Sequence, residues 1–91
     1  MEKVIERVEY GEYIVSDPEV CHGKLTFKGT RLFVEDVLHM ISKNMDWDEI
    51  VRQLHGSITK EAIAEAVDLA RRVLVSKLDE YSVVDFENEK D

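Results

Sequence analysis

Cys21 is the only cysteine in the chain, so neither an internal disulfide nor a multi-cysteine zinc site can form. Proline occurs once, at Pro18, and the amide side chains number three, Asn44, Gln53 and Asn88. No uninterrupted apolar run exceeds three residues, as in Leu32-Phe33-Val34, far short of the ~20 that cross a bilayer. The first twenty residues carry acids throughout, which is not the pattern of an export signal. The expectation is a cytoplasmic protein with no membrane partner.

What is present sets further bounds. Ninety-one residues suffice for one small domain but not for two cores. A chain of this size buries roughly 60–65% of its unfolded surface, which leaves a thin margin of stability. With covalent staples excluded, association with another chain is the expected supplement, as a homodimer or higher oligomer. The formal net charge is −8, with 35% of residues charged. Such a chain is repelled by nucleic acid unless its cations gather on one face.

Residues 1–16 read as extended or ambiguous: Val4, Ile5 and Val8 fit a helix face, but VIERVEY and YIV, separated by Gly11, read equally as two short strands, and Ser16-Asp17-Pro18 is a turn signal. Between residues 24 and 30 the chain alternates: Lys24, Thr26, Lys28 and Thr30 face one way, Leu25 and Phe27 the other. Strand structure is therefore expected across about 3–30. Three helices follow. The first spans about 34–43, carrying Val34, Val37, Leu38 and Ile41. The second spans about 46–55, with Asp46 as an acidic N-cap and Trp47, Ile50, Val51 and Leu54 on its apolar side. Gly56 is a natural stop. Thr59 can cap a third helix over 59–78, striped by Ile63, Ala66, Val67, Ala70, Val73, Leu74 and Leu78. The last two helices and the break between them have helix-turn-helix proportions. The predicted fold is mainly α: a three-helix, homeodomain-like helix-turn-helix unit preceded by a short N-terminal β-hairpin or small sheet. It forms a single domain over 1–78, with an acidic tail over 79–91.

Charge is sorted along the chain. From Val20 to Val34 there is no acid, yet His22, Lys24, Lys28 and Arg31 are present. The closing DEYSVVDFENEKD has six acids and one lysine, interleaved with Tyr81, Val83, Val84 and Phe86.

The stretch GKLTFKGTR, residues 23–31, invites a phosphate-loop reading, but the order is wrong. Lys24 follows the first glycine, and Thr30 follows Gly29 directly, whereas a P-loop places lysine after the second glycine at a helix start. A turn made by Gly29 and closed locally by Thr30 is the simpler reading. The alternative is a surface role for Lys24, Lys28 and Arg31 against a phosphate backbone or an acidic partner. His22, His39 and His55 lie far apart and lack His-x3-His spacing, and no serine has an obvious base. No enzyme, metal or cofactor is therefore expected. Groove recognition by the third helix meets an objection of sign, since its first turns offer Lys60 but also Glu61, Glu65 and Asp68.

The segments YIVSDPEVCHGKLTFKGTRLFVEDVL and WDEIVRQLHGSITKEAIAEAVDLA resemble the bacterial and archaeal domain-of-unknown-function family 433. The family's pattern pairs a D-P-x-x-x-x-G-K-P segment with x-G-T-R-I/L-x-V and ends in L/I-T-x-E/D-x-I-x-x-A. Asp17-Pro18, Gly23-Lys24, Gly29-Thr30-Arg31 and the Thr59-to-Ala66 stretch match it; Leu25 stands where proline is usual. The resemblance covers about residues 12–75. It implies an antitoxin-like protein with homeodomain-like helices, found beside nuclease toxins of the PIN-like class, and no catalytic residue.

Two functions from different classes follow. In the first, the chain neutralises a cognate PIN-like toxin. Tyr81, Val83, Val84 and Phe86 anchor on the partner, while Asp79, Glu80, Asp85, Glu87 and Glu89 mask its basic face. Lys24, Lys28 and Arg31 of a homodimer contact operator DNA. In the second, the chain is a helix-turn-helix transcriptional regulator without a toxin partner.

Overall fold

A computed structural model describes residues 6–79. The partner anchors expected at Tyr81, Val83, Val84, Asp85, Phe86 and Glu87 lie outside the described residues, as does Glu80.

Three short strands open the fold: β1 (Val8–Glu9), β2 (Ile14–Ser16) and β3 (Leu25–Phe27). They form one antiparallel sheet in the order β1-β2-β3. Val8 pairs with Ser16, and Val15 lies between Glu9 and Thr26. Beyond β3 the chain doubles back. Gly29 adopts a φ of +77°, a left-handed value that glycine takes without Cβ strain. The Thr30 hydroxyl donates to Phe27 O at 2.8 Å and accepts from Leu32 N at 3.0 Å. An isolated bridge between Thr26 and Phe33 then covers the far side of β3. Gly29 and Thr30 thus make the turn that their residue types indicate.

Helices α1 (Val34–Ser42), α2 (Trp47–Gln53) and α3 (Lys60–Asp79) complete the fold. α1 ends in a Schellman arrangement: Met45 N bonds to Met40 O, Asn44 N to Ile41 O, and Asn44 takes a φ of 72°. Asp46 caps α2, its Oδ1 accepting from Glu49 N at 2.9 Å. α2 closes in the same way, with Gly56 N on Val51 O and His55 N on Arg52 O. His55, φ 57°, takes the first left-handed position there, ahead of Gly56. The Thr59 hydroxyl accepts from Ala62 N and caps α3.

The core overturns the homeodomain-like, helix-turn-helix prediction. It joins Ile14 of β2 and Phe27 of β3 to Val34, Val37, Ile50, Ile58, Ala62, Ile63 and Ala66. Phe27 and Ile14 are among the largest fully buried side chains. The molecule is three helices plus a three-stranded antiparallel sheet, and the sheet is one wall of the core. It is no leader placed before a self-sufficient helical unit. The physical reason is supply: seven-residue α2 buries only Ile50, so the helices alone cannot close a core. With that fold goes the geometric basis of a helix-turn-helix regulator, which is not carried further.

The expected alternation along β3 also needs correcting. Phe27 faces the helices, but Leu25 on the same side remains exposed, where it borders an open hollow with Leu38 of α1 and Val73 of α3. Thr26, expected to face outward with the lysines, is wholly buried. It shares with its partner Val15 a pocket on the outer face, built over by Val20, Thr30 and Arg31.

Candidate interaction surfaces

Of the three basic residues singled out in the sequence, Lys24 and Lys28 flank opposite ends of β3. Lys24 follows a 3-10 turn at Cys21–Gly23, and its Nζ lies 5.4 Å from the centroid of the Phe33 ring. Lys28 sits beyond the other end of β3, where its Nζ is 3.2 Å from Glu9 Oε1. Arg7 reaches the same carboxylate at 2.5 Å. Hydrogen bonds from Arg7 and then Lys28 hold the Glu9 carboxyl below its ordinary pKa. Arg31 is exposed at the rim of the outer-face pocket, a hollow of about 340 Å³ lined also by Arg7, Asp17 and Thr26. Lys24 borders a different hollow, with Leu25, Phe33 and Glu35.

The turn before β3 is strained. Cys21, His22 and Gly23 take φ values of 51°, 60° and 85°, consecutive left-handed residues of which only the last is glycine. Cys21 and His22 therefore occupy a turn, inside the span 3–30 where strand structure is expected from the sequence. The Cys21 thiol points at Arg31 O, 3.9 Å away.

The opening turns of α3 are committed to structure. Glu65 accepts from Glu12 N at 2.7 Å and Tyr13 N at 2.6 Å, fastening the β1–β2 turn to the helix. Lys60 pairs with Asp48 of α2 at 2.9 Å. Asp68 holds Arg71 and Arg72 one turn on. The exposed start of the helix remains acidic, as the sequence indicated.

An apolar trough of about 450 Å³ lies between the sheet and the C-terminal half of α3. Tyr10, Leu25, Val34, Leu38, Ala66, Leu69, Ala70 and Val73 line it, with Ser16 and Gly23. It adjoins the Lys24 hollow through Leu25, Val34 and Leu38, which border both. Residues 71–78 of α3 are all exposed, including Val73, Leu74, Val75 and Leu78. The sequence shows this stripe, from Ile63 to Leu78, but not that its end stays uncovered. Its length was the overlooked sign, since the apolar phase continues three turns beyond the last residue that the core buries, Ala66.

Among the described residues, no three His, Cys, Asp or Glu side chains gather as a metal ion requires. No described helix is long and apolar enough to cross a membrane.

These features define a small, mainly helical domain with a three-stranded sheet, presenting an apolar trough and a projecting helix. The chain belongs to the family described as "Protein of unknown function (DUF433)", whose profile matches residues 14–70. No curated protein and no solved structure matches it.

Proposed function

We propose that the chain is an antitoxin-like binding protein that neutralises a nuclease toxin of the PIN-like class. The observation that carries the reading is the sorting of charge. Residues 79–91 have six acids against one lysine, a net −5 within a chain of −8. A nuclease holds its RNA with a cationic surface, to which this segment is opposite in sign. Tyr81, Val83, Val84 and Phe86 are spaced among the acids as anchors. Apolar anchors within a charged fringe are how short segments dock into a partner's pockets. The resemblance to domain-of-unknown-function family 433, which implies an antitoxin-like protein, supports the same reading.

Operator DNA is a second ligand of this proposal. Lys28 already faces Glu9, so phosphate contact falls mainly to Arg31 and Lys24 of two copies. Such binding rests on phosphate neutralisation and weakens steeply with salt.

The test is co-expression with the product of the adjacent reading frame, followed by purification and an RNA-cleavage assay. The expected result is a co-eluting complex with suppressed cleavage, and loss of suppression when residues 80–91 are deleted. A deletion that inhibits at full strength overturns the tail as the inhibitory element.

A further inference from the structure

We propose that the trough is a self-association surface, in which the C-terminal half of α3 from a second copy of this chain lies. The starting point is where the apolar surface is. Seven large hydrophobic side chains are exposed among the described residues: Val8, Tyr10, Leu25, Val73, Leu74, Val75 and Leu78. Tyr10, Leu25 and Val73 line the trough itself. Val8 stands on the same sheet face as Tyr10 and pairs with Ser16 of the lining. Leu74 and Leu78 continue the helical stripe that enters the trough at Ala66, Ala70 and Val73. Only Val75 falls on another side of the helix. The cluster exposes on the order of 400 Å² per copy, as large as the biggest apolar patch on a typical monomer.

Shape makes the surface self-complementary. The concave trough and the convex helix belong to one chain and meet at Val73. A two-fold axis beside Val73 lays each helix in the other copy's trough, a closed isologous pairing that leaves neither patch open. Burying both ridges and both troughs, with their half-buried walls and polar rims, approaches the roughly 800 Å² per partner of a stable interface.

Charge selects this occupant over the chain's own tail. Residues 68–78 of α3 contain Arg71, Arg72 and Lys77 against one acid, Asp68, which pairs with both arginines, although the chain as a whole is at −8. Glu35 and Lys24 border the adjoining hollow, and Asp36, next to Glu35 in the first turn of α1, leaves the acids there in excess. A second α3 brings cations to these carboxylates. The segment 79–91, with its six acids, brings like charge.

The pairing does not rest on the antitoxin reading, and its test needs no toxin. The full chain is examined by sedimentation equilibrium over a hundredfold range of concentration. The expected result is a reversible dimer of twice 10.6 kDa. Leu74→Glu is expected to raise the dissociation constant at least a hundredfold while circular dichroism stays unchanged, because Leu74 is 59% exposed within the protomer. Val75→Glu, off the stripe, keeps the dimer and controls for added charge. Glu35→Lys weakens it about tenfold. A chain that is monomeric throughout overturns the proposal. So does a dimer indifferent to both Leu74→Glu and Val73→Glu. A dimer formed only after removal of residues 80–91 makes the tail the occupant and equally overturns it. Any of these results with toxin inhibition intact sinks the pairing alone.

Discussion

Glu65 and Gly11 occupy one another's space: a Cβ built on Gly11 would stand 1.6 Å from Glu65 Oε2. The missing side chain at Gly11 lets the carboxylate reach Glu12 N and Tyr13 N, 53 and 52 residues away in sequence. Gly11 also has a φ of +151°, which side-chain-bearing residues rarely adopt. Hydrogen bonds to a charged acceptor contribute about 1.5–3 kcal/mol. Glu65→Ala and Gly11→Ala are each expected to cost about 2 kcal/mol, read by urea denaturation. They act on one contact, so the double variant should cost much less than their sum, with a coupling of about 1–2 kcal/mol. Additive costs would contradict the shared contact.

Phe27→Ala tests whether the sheet is part of the core. Removing a fully buried phenylalanine costs about 3–5 kcal/mol. The helical circular dichroism signal should melt earlier and in one transition with it. If the helices kept their midpoint, the sheet would be an appendage after all.

Thr26→Val should do no harm. The Thr26 hydroxyl is buried with no hydrogen-bond partner in the protein. An unsatisfied buried donor is costly, so exchanging it for a methyl group is expected to leave stability unchanged or raise it by about 1 kcal/mol. In a domain of this length that is a rise of about 4–8 °C in Tm at most. A fall of similar size would mean that an ordered water satisfies the hydroxyl.

The Asp48–Lys60 pair ties α2 to α3 and carries a pH signature. Lys60 lowers the Asp48 pKa below its ordinary 3.8, first through the hydrogen bond and then through its charge. Asp48 in turn raises Lys60 above 10.5. The depressed carboxyl contributes stability above its unfolded pKa, and loses it as pH falls through the folded value. The raised amine contributes below its unfolded pKa, and loses it as pH rises through the folded value. The contribution therefore spans neutral pH and fades at both extremes. Carbon-13 titration should place Asp48 below 3.8 and return it to normal in Lys60→Met; an unmoved midpoint would remove the pair from the account. Both groups are solvent-exposed, so salt should weaken the effect.

Much of the helical layer was legible because its signals are local. Asp46 and Thr59 announce caps by residue type, and the Gly29-Thr30 turn follows from what glycine and threonine do to a backbone. The sheet's role in the core was not legible. Two- and three-residue strands carry too little periodicity, and only the assembled core shows that Ile14 and Phe27 complete what α2 cannot. Lys28 looked available because its partner, Glu9, lies in another strand. The Glu65 contact left no trace in local pattern, since a glutamate on a soluble helix ordinarily faces water. The trough had a legible half, the stripe through Val73, Leu74 and Leu78, while its opposite wall comes from distant Tyr10 and Leu25.

β3 is closed on its far side by the Phe33 bridge, so among the described residues β1 is the sheet's only open margin. That margin is two residues long, and its Glu9 carries ion pairs to Arg7 and Lys28. A neighbouring molecule that tried to continue the ladder would find few amides to match and charges to desolvate first. Growth into fibres is thereby discouraged at the one place the architecture invites it, and crowding of this protein should yield discrete assemblies in preference to open-ended stacks.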